Sequence, residues 1–255
     1  MKINNKSFQR IIPTNIRPAY YRAQTDIPYA QEIWQTLIKI KNISLDNLGS
    51  FIQAQPKYAE RYKLIDEILN ESGITQVIEL ASGWSTRGLS FCKSNCKAVY
   101  IEIDLPDVAK NKSDILKQMG EIPQNLHIFE GNALCEQDFT NASNYFNPNK
   151  PIAVITEGLL GYLTFKEKEQ ITRNVQKLLT KFKGIWITNG FKPSPNKTEE
   201  LTQRYKFSKS ITGRDRQINE FKDNEHIISF LAKFNMICDY HSFNGGEVKI
   251  VKINE

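Results

Sequence analysis

The segment VIELASGWSTRGLSF, residues 77–91, gives the first indication of the fold. A short apolar strand leads into a turn of small residues, and a helical pattern follows the turn. This is the outline of a nucleotide-binding loop, in which small residues let a ligand approach the backbone and the helix N-terminus offers free N–H groups. A glycine-rich loop would have glycine where this chain has Ala81 and Ser85. The segment alone leaves two interpretations open: a cofactor site with substitutions, and a tight turn in a buried sheet.

Apolar segments of strand length alternate with helical patterns along the chain. The predicted strands are 76–80, 98–104, 126–132, 152–158 and 184–191. Apolar residues at a spacing of three to four predict helices at 28–48, 57–72, 86–95, 106–119, 165–182 and 224–233. Strands that alternate with helices in this way favour a mainly parallel sheet that is covered on both faces.

Two local signals refine this prediction. Thr164 is followed three residues later by Glu167, which is the pattern of a capping box at the start of the helix at 165–182. Two strand-like segments, 235–243 and 247–253, flank Asn244-Gly245-Gly246, and Asn-Gly in this position is a strong hairpin signal. We therefore predict an α/β fold with a seven-stranded, mostly parallel, Rossmann-like sheet that finishes in an antiparallel hairpin.

The chain divides by composition into a cap and a sheet domain. We predict an N-terminal arm and helical cap over 1–72 and a Rossmann-like ligand-binding domain over 73–255, within a single globular unit. Residues 1–20 are polar with two prolines and indicate a loosely held arm. Residues 192–222 are polar and irregular, which suits an active-site flap or a plain connection.

Composition excludes several classes of protein. The net charge of +6 is spread along the chain, without the basic and aromatic stripe of a dedicated nucleic-acid binder. No apolar run approaches about 18 residues, and the polar start MKINNKSFQR lacks a secretory signal, so we expect no membrane association. No cysteines have metal-ligand spacing, so we expect no metal and reduced thiols in the cytoplasm. The cysteines are Cys92, Cys96, Cys135 and Cys238.

Small and polar residues follow the predicted strands, at the edge where open α/β sheets bind ligands. They are Glu79 to Gly83 after the first strand, Glu102 and Asp104 after the second, Asn132 after the third, and Glu157 after the fourth, with Tyr162 just beyond. An acidic residue about 20 positions after the turn can accept hydrogen bonds from ribose hydroxyls, and Asp104 is favoured because it ends its strand. Three carboxylates would repel a pyrophosphate, so a nucleoside with an amino-bearing tail fits better.

Several motifs in this order resemble the leucine carboxyl methyltransferase family, which includes bacterial polyketide-type O-methyltransferases. They are RAQTDIPYA (22–30), AERYKLID (59–66), VIELASGWSTR (77–87), VYIEIDLPDVAKNK (99–112) and TEGLLGYL (156–163). The resemblance covers residues 20 to 190 and implies a class I methyltransferase that uses S-adenosylmethionine.

The resemblance also implies roles at the cofactor's methionine tail. Arg61 would clamp its carboxylate, and Glu157 would face its amino group. Glu79, Ala81 and Gly83 would belong to the turn that lines this tail.

Further implied roles concern the nucleoside and the methyl acceptor. Asp104 would hold the ribose, and Asn132 would reach the adenine amino group, where the family more often has aspartate. Arg22 and Tyr162 would lie on the acceptor side, with Tyr162 as the candidate catalytic group that assists a phenol.

Two departures from the family pattern define the alternatives. Ala81 replaces a glycine, which is tolerable if its φ is negative, and Ser85 replaces an aspartate. The favoured function is an S-adenosylmethionine-dependent O-methyltransferase that acts on a carboxylate or hydroxyl of a small molecule or peptide. The alternative is a degenerate relative that binds partners without catalysis. A nucleic-acid methyltransferase is the weakest candidate, because TEGLLGYL stands where an Asn/Asp-Pro-Pro-Tyr motif would be.

Overall fold

Seven strands form one mixed sheet in the computed structural model, which describes residues 15–41, 56–120, 122–193 and 198–254. The strands are β1 (Gln76–Leu80), β2 (Val99–Asp104), β3 (Leu126–Glu130), β4 (Ile152–Thr156), β5 (Gly184–Thr188), β6 (Met236–Phe243) and β7 (Gly246–Ile253). Their order across the sheet is β3-β2-β1-β4-β5-β7-β6. Strands β1 to β5 pair in parallel, and β7 is antiparallel to both β5 and β6. The predicted seven-stranded α/β sheet is therefore confirmed.

Strand β1 lies at the centre of the parallel part and is buried along its whole length. Its last residue, Leu80, is level with Ile103 of β2 on one side and Thr156 of β4 on the other. The chain winds outward from β1 to β3 and then returns to β4 on the opposite side, so the winding direction reverses between β1 and β4. Ligands of open α/β sheets bind at such a reversal, outside the carboxyl ends of the strands.

Helices connect most of the strands. They are α1 (Ile16–Ala23), α2 (Ala30–Lys41), α3 (Pro56–Glu71), α4 (Arg87–Ser94), α5 (Pro106–Met119), α6 (Glu136–Ser143), α7 (Phe165–Phe182), α8 (Glu199–Thr212) and α9 (Asn224–Ala232). The bounds of α5 and α7 coincide with the sequence prediction. The predicted helix 28–48 is found as α2, and its residues 42–48 lie outside the described part of the chain.

Helices cover both faces of the sheet, as predicted. One apolar cluster joins a face to α1 through α5, and its helical members include Ala19, Leu37, Ile65, Leu89 and Ile115. The other cluster joins the opposite face to α6, α7 and α9, through residues that include Phe139, Val175 and Phe230. Because α1, α2 and α3 share a core with the sheet, the helical cap packs directly on the strands. The boundary at residues 72 and 73 stays a prediction.

Three helices depart from the sequence expectations. Residues 16–20, expected in a loose arm, begin α1, whose apolar side buries Ala19 and Tyr21. Helix α6 went unpredicted because it is short and carries few apolar residues. Helix α8 lies within the segment 192–222 that we expected to be irregular. Helices α1 and α6 bury apolar residues, among them Ala19 and Phe139, in the core, and such tertiary packing outweighs a weak local pattern.

Both local signals are confirmed. The Thr164 hydroxyl accepts a hydrogen bond from the Glu167 N–H, and the Glu167 carboxylate accepts one from the Thr164 N–H, as in a capping box. At the terminal hairpin Phe243 is level with Gly246, so Asn244 and Gly245 form a two-residue turn. Gly245 has a φ of 117°, which explains the need for glycine there.

Candidate functional site

The turn after β1 contains an alanine in the left-handed region. Ala81 has a φ of 53°, and Gly83 has the same value. The condition of a negative φ at Ala81 is therefore not met, because the backbone has kept the conformation that a glycine would favour. A non-glycine residue in this region carries a strain of about 1–2 kcal/mol. The Ala81 N–H donates to the Ile103 carbonyl at 2.7 Å, which fastens the turn to β2.

Asp104, at the end of β2, braces the same turn. Its carboxylate accepts a hydrogen bond from the Gly83 N–H at 2.6 Å and another from the Leu105 N–H at 2.7 Å. Burial raises the pKa of Asp104, and the two backbone donors oppose that rise. A carboxylate offers about four acceptor positions, so Asp104 keeps acceptor capacity beyond these two bonds.

A buried ion pair supports the turn from beneath. Glu102 and Lys112 are both almost completely buried and bind each other. The Ser82 hydroxyl lies between them, 3.2 Å from Oε2 of Glu102 and 3.3 Å from Nζ of Lys112. Glu102 thus contacts helix α5 through Lys112.

Arg87, the first residue of α4, gathers three carboxylates. Its Nη1 lies 2.6 Å from Glu79, its Nη2 lies 3.0 Å from Glu157, and its Nε binds Asp66. Its guanidinium carbon is 4.0 Å from the centroid of the Tyr62 ring. Burial alone would lower the pKa of Arg87, but the carboxylates raise it well above its usual value. The arginine is therefore permanently charged.

Glu79 lies inside this network and not at the surface of the site. Its side chain is buried, with Oε1 bound to Arg87 and Oε2 accepting from the Tyr100 hydroxyl at 2.8 Å and from Ser85 at 3.3 Å. Ser85, which replaces the family's aspartate, thus takes part in the network. A carboxylate with these partners supports the turn, so the predicted direct contact of Glu79 with a cofactor does not suit its position.

Arg61 and Glu157 lie together, as expected for residues that bind the two ends of one small group. Nε and Nη2 of Arg61 donate to one oxygen of Glu157, at 2.9 Å and 2.7 Å. Burial raises the pKa of Glu157, but Arg61, Arg87 and Arg22 together lower it to about 2. Glu157 is therefore ionised at every physiological pH.

Asn132 follows β3 and is held by the loop that it begins. Its N–H donates to Oδ2 of Asp138 at 2.8 Å, and its Oδ1 accepts from the Leu134 N–H at 2.9 Å. The residue is buried. The structure thus places Asn132 at the same edge of the sheet as Gly83, Asp104 and Glu157, which is where the sequence predicted it.

The family model for leucine carboxyl methyltransferases matches residues 23–176, which is more than half of the chain. The chain belongs to the leucine carboxyl methyltransferase family. The match includes the segments that carry Arg61, Arg87, Asp104 and Glu157.

Mycobacterial relatives of this family member carry the name "Putative S-adenosyl-L-methionine-dependent methyltransferase". The one from Mycobacterium marinum is 30% identical over 208 residues, which cover 74% of this chain and 67% of the relative. The one from Mycobacterium avium is 27% identical over 160 residues, which cover 61% of this chain and 51% of the relative. The chain thus spans about half the length of the Mycobacterium avium relative.

Solved structures with low sequence identity share the fold of this family member. A protein from Thermobifida fusca described as a putative methyltransferase superposes with a TM-score of 0.62 at 13% identity, covering 94% of each chain. An O-methyltransferase family protein from Burkholderia thailandensis gives a TM-score of 0.55 at 13% identity, covering 88% of this chain and 58% of the other. These likenesses support the Rossmann-like architecture.

Tyr162 and Arg22 are the two residues predicted on the acceptor side of the family site. Tyr162 lies in a short 3₁₀ helix (Leu160–Tyr162) after β4, and the Arg216 guanidinium carbon lies 4.7 Å from its ring centroid. Arg22 lies on α1, is 6% exposed, and stacks over Tyr62 at 5.2 Å. Its Nε is buried without a hydrogen-bond partner among the described residues. Contact of Tyr162 and Arg22 with the acceptor stays a prediction.

Sequence reasoning gave no role to several residues of the network. Arg87 and Asp66 are the last residues of two of the quoted motifs, VIELASGWSTR and AERYKLID. Their place in these motifs was the signal that could have indicated a role in the site. Tyr62, Tyr100 and Lys112 carried no signal of their own, because spacing does not reveal which polar side chains become buried. Two cations beyond β5, Lys192 and Arg216, were also missed.

Two kinds of feature are absent from the part of the chain that the structure describes. No group of three or more His, Cys, Asp or Glu side chains is arranged to hold a metal ion. No helix there is long and apolar enough to cross a membrane.

Proposed function

We propose that this chain is an S-adenosylmethionine-dependent O-methyltransferase whose cofactor lies over the carboxyl ends of β1 to β4. The observation that carries the proposal is the Arg61–Glu157 pair. Glu157 follows β4 and Asp104 ends β2, on the two sides of β1, whose following turn contains Ala81 and Gly83. The family membership supports the same function.

The Arg61–Glu157 pair is complementary to an α-amino acid. A free amino acid carries a carboxylate and an ammonium group a few ångströms apart, and the pair offers a guanidinium and a carboxylate at contact distance. Arg61 would bind the carboxylate through charge-assisted hydrogen bonds, and Glu157 would bind the ammonium. Because Arg87 also holds Glu157 at 3.0 Å, Glu157 stays in place when Arg61 turns toward the ligand.

The nucleoside would be held by the neighbouring strand ends. Asp104 has acceptor capacity left for ribose hydroxyls and is fixed by two backbone N–H groups. Asn132, beyond the neighbouring strand, would contact the adenine. Ala81 and Gly83 would line the methionine tail, while Glu79 would act indirectly by holding Arg87.

The residues of this chain would position the reactants. When bound, the cofactor would supply a methyl group on a positively charged sulfur, and an acceptor oxygen would bond to the methyl carbon as the carbon–sulfur bond breaks and the neutral thioether leaves. Positioning of the two reacting atoms is the main protein contribution to such a step. A carboxylate acceptor is already ionised at pH 7 and needs no base, whereas a hydroxyl needs one. Tyr162 is the candidate group for contact with the acceptor and for assistance to a phenol.

The degenerate alternative rests on the strained turn. Ala81 has a φ of 53° where a glycine would be free of strain, and a methyl group there narrows the approach to the backbone. Catalysis requires cofactor binding, whereas a degenerate member can lose it. Direct measurement of cofactor binding therefore separates the two functions.

The experiment is calorimetric titration with S-adenosylmethionine and S-adenosylhomocysteine. We expect the wild type to bind with a micromolar dissociation constant, which corresponds to a binding free energy of ~8 kcal/mol. Arg61→Ala and Asp104→Ala should bind at least tenfold more weakly. The matched controls are Arg173→Ala, an arginine on α7 that packs over Phe234, and Asp239→Ala on the exposed strand β6. A folded wild type that binds neither compound would rule out the enzyme and favour the degenerate alternative.

If binding is established, the acceptor is found by screening small molecules and peptides that carry carboxylates or hydroxyls. The cytoplasmic location and the lack of nucleic-acid binding stay predictions from composition. A salt-dependent shift of DNA or RNA by the pure protein would contradict the second of these.

A further inference from the structure

The acceptor side of the proposed site carries two cations that no carboxylate neutralises directly. Lys192 lies just beyond β5, and Arg216 lies just before the 3₁₀ helix Gln217–Asn219. Within the described residues, neither side chain has a carboxylate oxygen within salt-bridge distance, although many other cations of the molecule do. The carboxylate that raises the pKa of Lys192 is that of Glu220.

Three segments are joined around these cations. The Lys168 amine donates to the Leu163 carbonyl at 2.6 Å and to the Asn219 carbonyl at 2.7 Å, which ties the loop after β4 to the segment that follows α8. Pro193 forms a parallel bridge with Phe221, which ties the loop after β5 to the same segment. Lys192 and Arg216 are therefore held on one wall with Tyr162.

Arg216 is held in a defined position. Its Nε donates to the Gly161 carbonyl at 3.0 Å, and its guanidinium stacks on the Tyr162 ring. A Cβ at Gly161 would lie only 2.7 Å from Nη2 of Arg216, so glycine permits this close approach. With Nε bound to the backbone, the Nη groups remain as donors for another partner.

The positive charges near Lys192 affect its pKa. Its side chain reaches solvent, but partial burial of its amine lowers the pKa of Lys192, and the charges of Arg216, Arg61 and Lys57 lower it further. Like charges held together oppose folding unless an anion joins them. Their retention on one wall therefore has a simple explanation in ligand binding.

We propose that Lys192 and Arg216 bind a negatively charged group of the acceptor, a carboxylate or a phosphate, that is separate from the oxygen to be methylated. This inference rests on the proposed function, since it names the class of acceptor for that site. A planar guanidinium and a nearby ammonium suit either anion, because both present several oxygens to the donors.

The bound anion serves recognition and not reaction. Hydrogen bonds from a guanidinium engage the lone pairs of the oxygen that accepts them. That oxygen is then a weaker nucleophile toward the methyl group. The charged group therefore anchors the acceptor, and a second oxygen, nearer to Glu157 and Tyr162, receives the methyl group.

The test uses the full chain at low ionic strength, where electrostatic binding is least screened. Inorganic phosphate and succinate are titrated calorimetrically into the wild type, Lys192→Gln and Arg216→Gln, and thermal unfolding is followed with each anion. The matched controls are Lys222→Gln, a highly exposed lysine, and Arg173→Gln on α7. Comparison of the two anions shows whether the site prefers carboxylate or phosphate.

We expect at least one anion to bind the wild type, with a dissociation constant at least about tenfold higher in Arg216→Gln and raised in Lys192→Gln. Both controls should bind as the wild type does. Equal binding by the wild type and Arg216→Gln, or equal weakening in the controls, would overturn the inference. Titration of the wild type with S-adenosylmethionine keeps the proposals apart. Cofactor binding without anion binding rejects only the anion site. Anion binding without cofactor binding keeps the anion site but rejects the methyltransferase, and with it the assignment of the anion to a methyl acceptor.

Discussion

Arg87 and Glu79 form an ion pair in which Nη1 lies 2.6 Å from Oε1 and each side chain is only 2% exposed. The same guanidinium holds Asp66 and Glu157, so one buried cation connects α3, β1 and the residue that follows β4. The geometry of the proposed cofactor site thus depends on a residue that need not touch the cofactor. Removal of that cation would leave Glu79 and Asp66 without their arginine and would leave Glu157 with Arg61 alone.

We predict that Arg87→Met lowers the free energy of unfolding by about 3–5 kcal/mol, as expected when one partner of a buried pair is removed. Urea unfolding followed by circular dichroism measures the change. Lys177→Met is the control, because its pair with Glu136 is exposed and should contribute less than about 1 kcal/mol. If Arg87→Met does not fold, Arg87→Lys provides the measurement, since it keeps the charge and loses the planar fork. A loss as small as the control's would contradict the network's importance.

We predict that Ala81→Gly stabilises the protein by about 0.5–1 kcal/mol. The substitution relieves strain at a φ of 53°, and the gain is reduced by the greater freedom of glycine in the unfolded chain. Ala109→Gly, within helix α5, should change stability in the opposite direction by about 1 kcal/mol or more. Thermal and urea unfolding of both variants measure the sign, and destabilisation by Ala81→Gly would show that the turn is not strained.

The sheet was predictable because its strands are buried on both faces. An apolar segment such as 76–80 leaves few alternatives, and its predicted bounds agree with β1. Helix α6 was not predictable, since EQDFTNAS has too few apolar residues to form a periodic stripe. The same holds for α8, where a polar sequence becomes helical within the folded chain. Local pattern thus fails where packing partners come from distant segments.

The site shows a similar division. Asp104 and Glu157 were found because strand ends in parallel sheets converge at one edge. Lys192 and Arg216 were missed because their proximity depends on how the segment after α8 returns to the β5 loop. The conformation of Ala81 stayed open, since a single sequence does not show whether the backbone changes when a glycine is replaced.

We predict a pH-dependent stability that comes from Lys168. Burial, together with the charge of Arg216, lowers the pKa of Lys168 to about 8 from 10.5. Between these two values the unfolded chain binds more protons than the folded protein, so the free energy of unfolding increases as the pH rises. The gain from this group is at most about 3 kcal/mol by pH 10.5.

The difference between wild type and Lys168→Met isolates this effect. Urea unfolding at pH 7.5 and pH 10.5 should show a larger increase for the wild type than for Lys168→Met, while Lys166→Met, an exposed lysine of the same helix, should follow the wild type. The same pH dependence in Lys168→Met would assign the effect to other groups.

We predict strong coupling between Glu102 and Lys112, which are each 1% exposed. Lys112→Met leaves Glu102 buried without its cation, and Glu102→Gln leaves Lys112 buried without its anion, so each single change is costly. The double variant should be more stable than the sum of the two losses predicts, by about 2–3 kcal/mol. Additive losses in a double-mutant cycle of urea unfolding would show that the two charges act independently.

The position of β1 has a consequence for synthesis of the chain. Gln76 of β1 pairs with Val99 of β2 on one side and with Ile152 of β4 on the other, so the central strand is synthesised long before its second neighbour. At the usual speed of translation, β1 waits roughly 4–15 s with one open edge and two apolar faces. During this interval the nascent chain presents a surface that chaperones recognise. Faster translation between β1 and β4 would shorten the period in which this strand can aggregate.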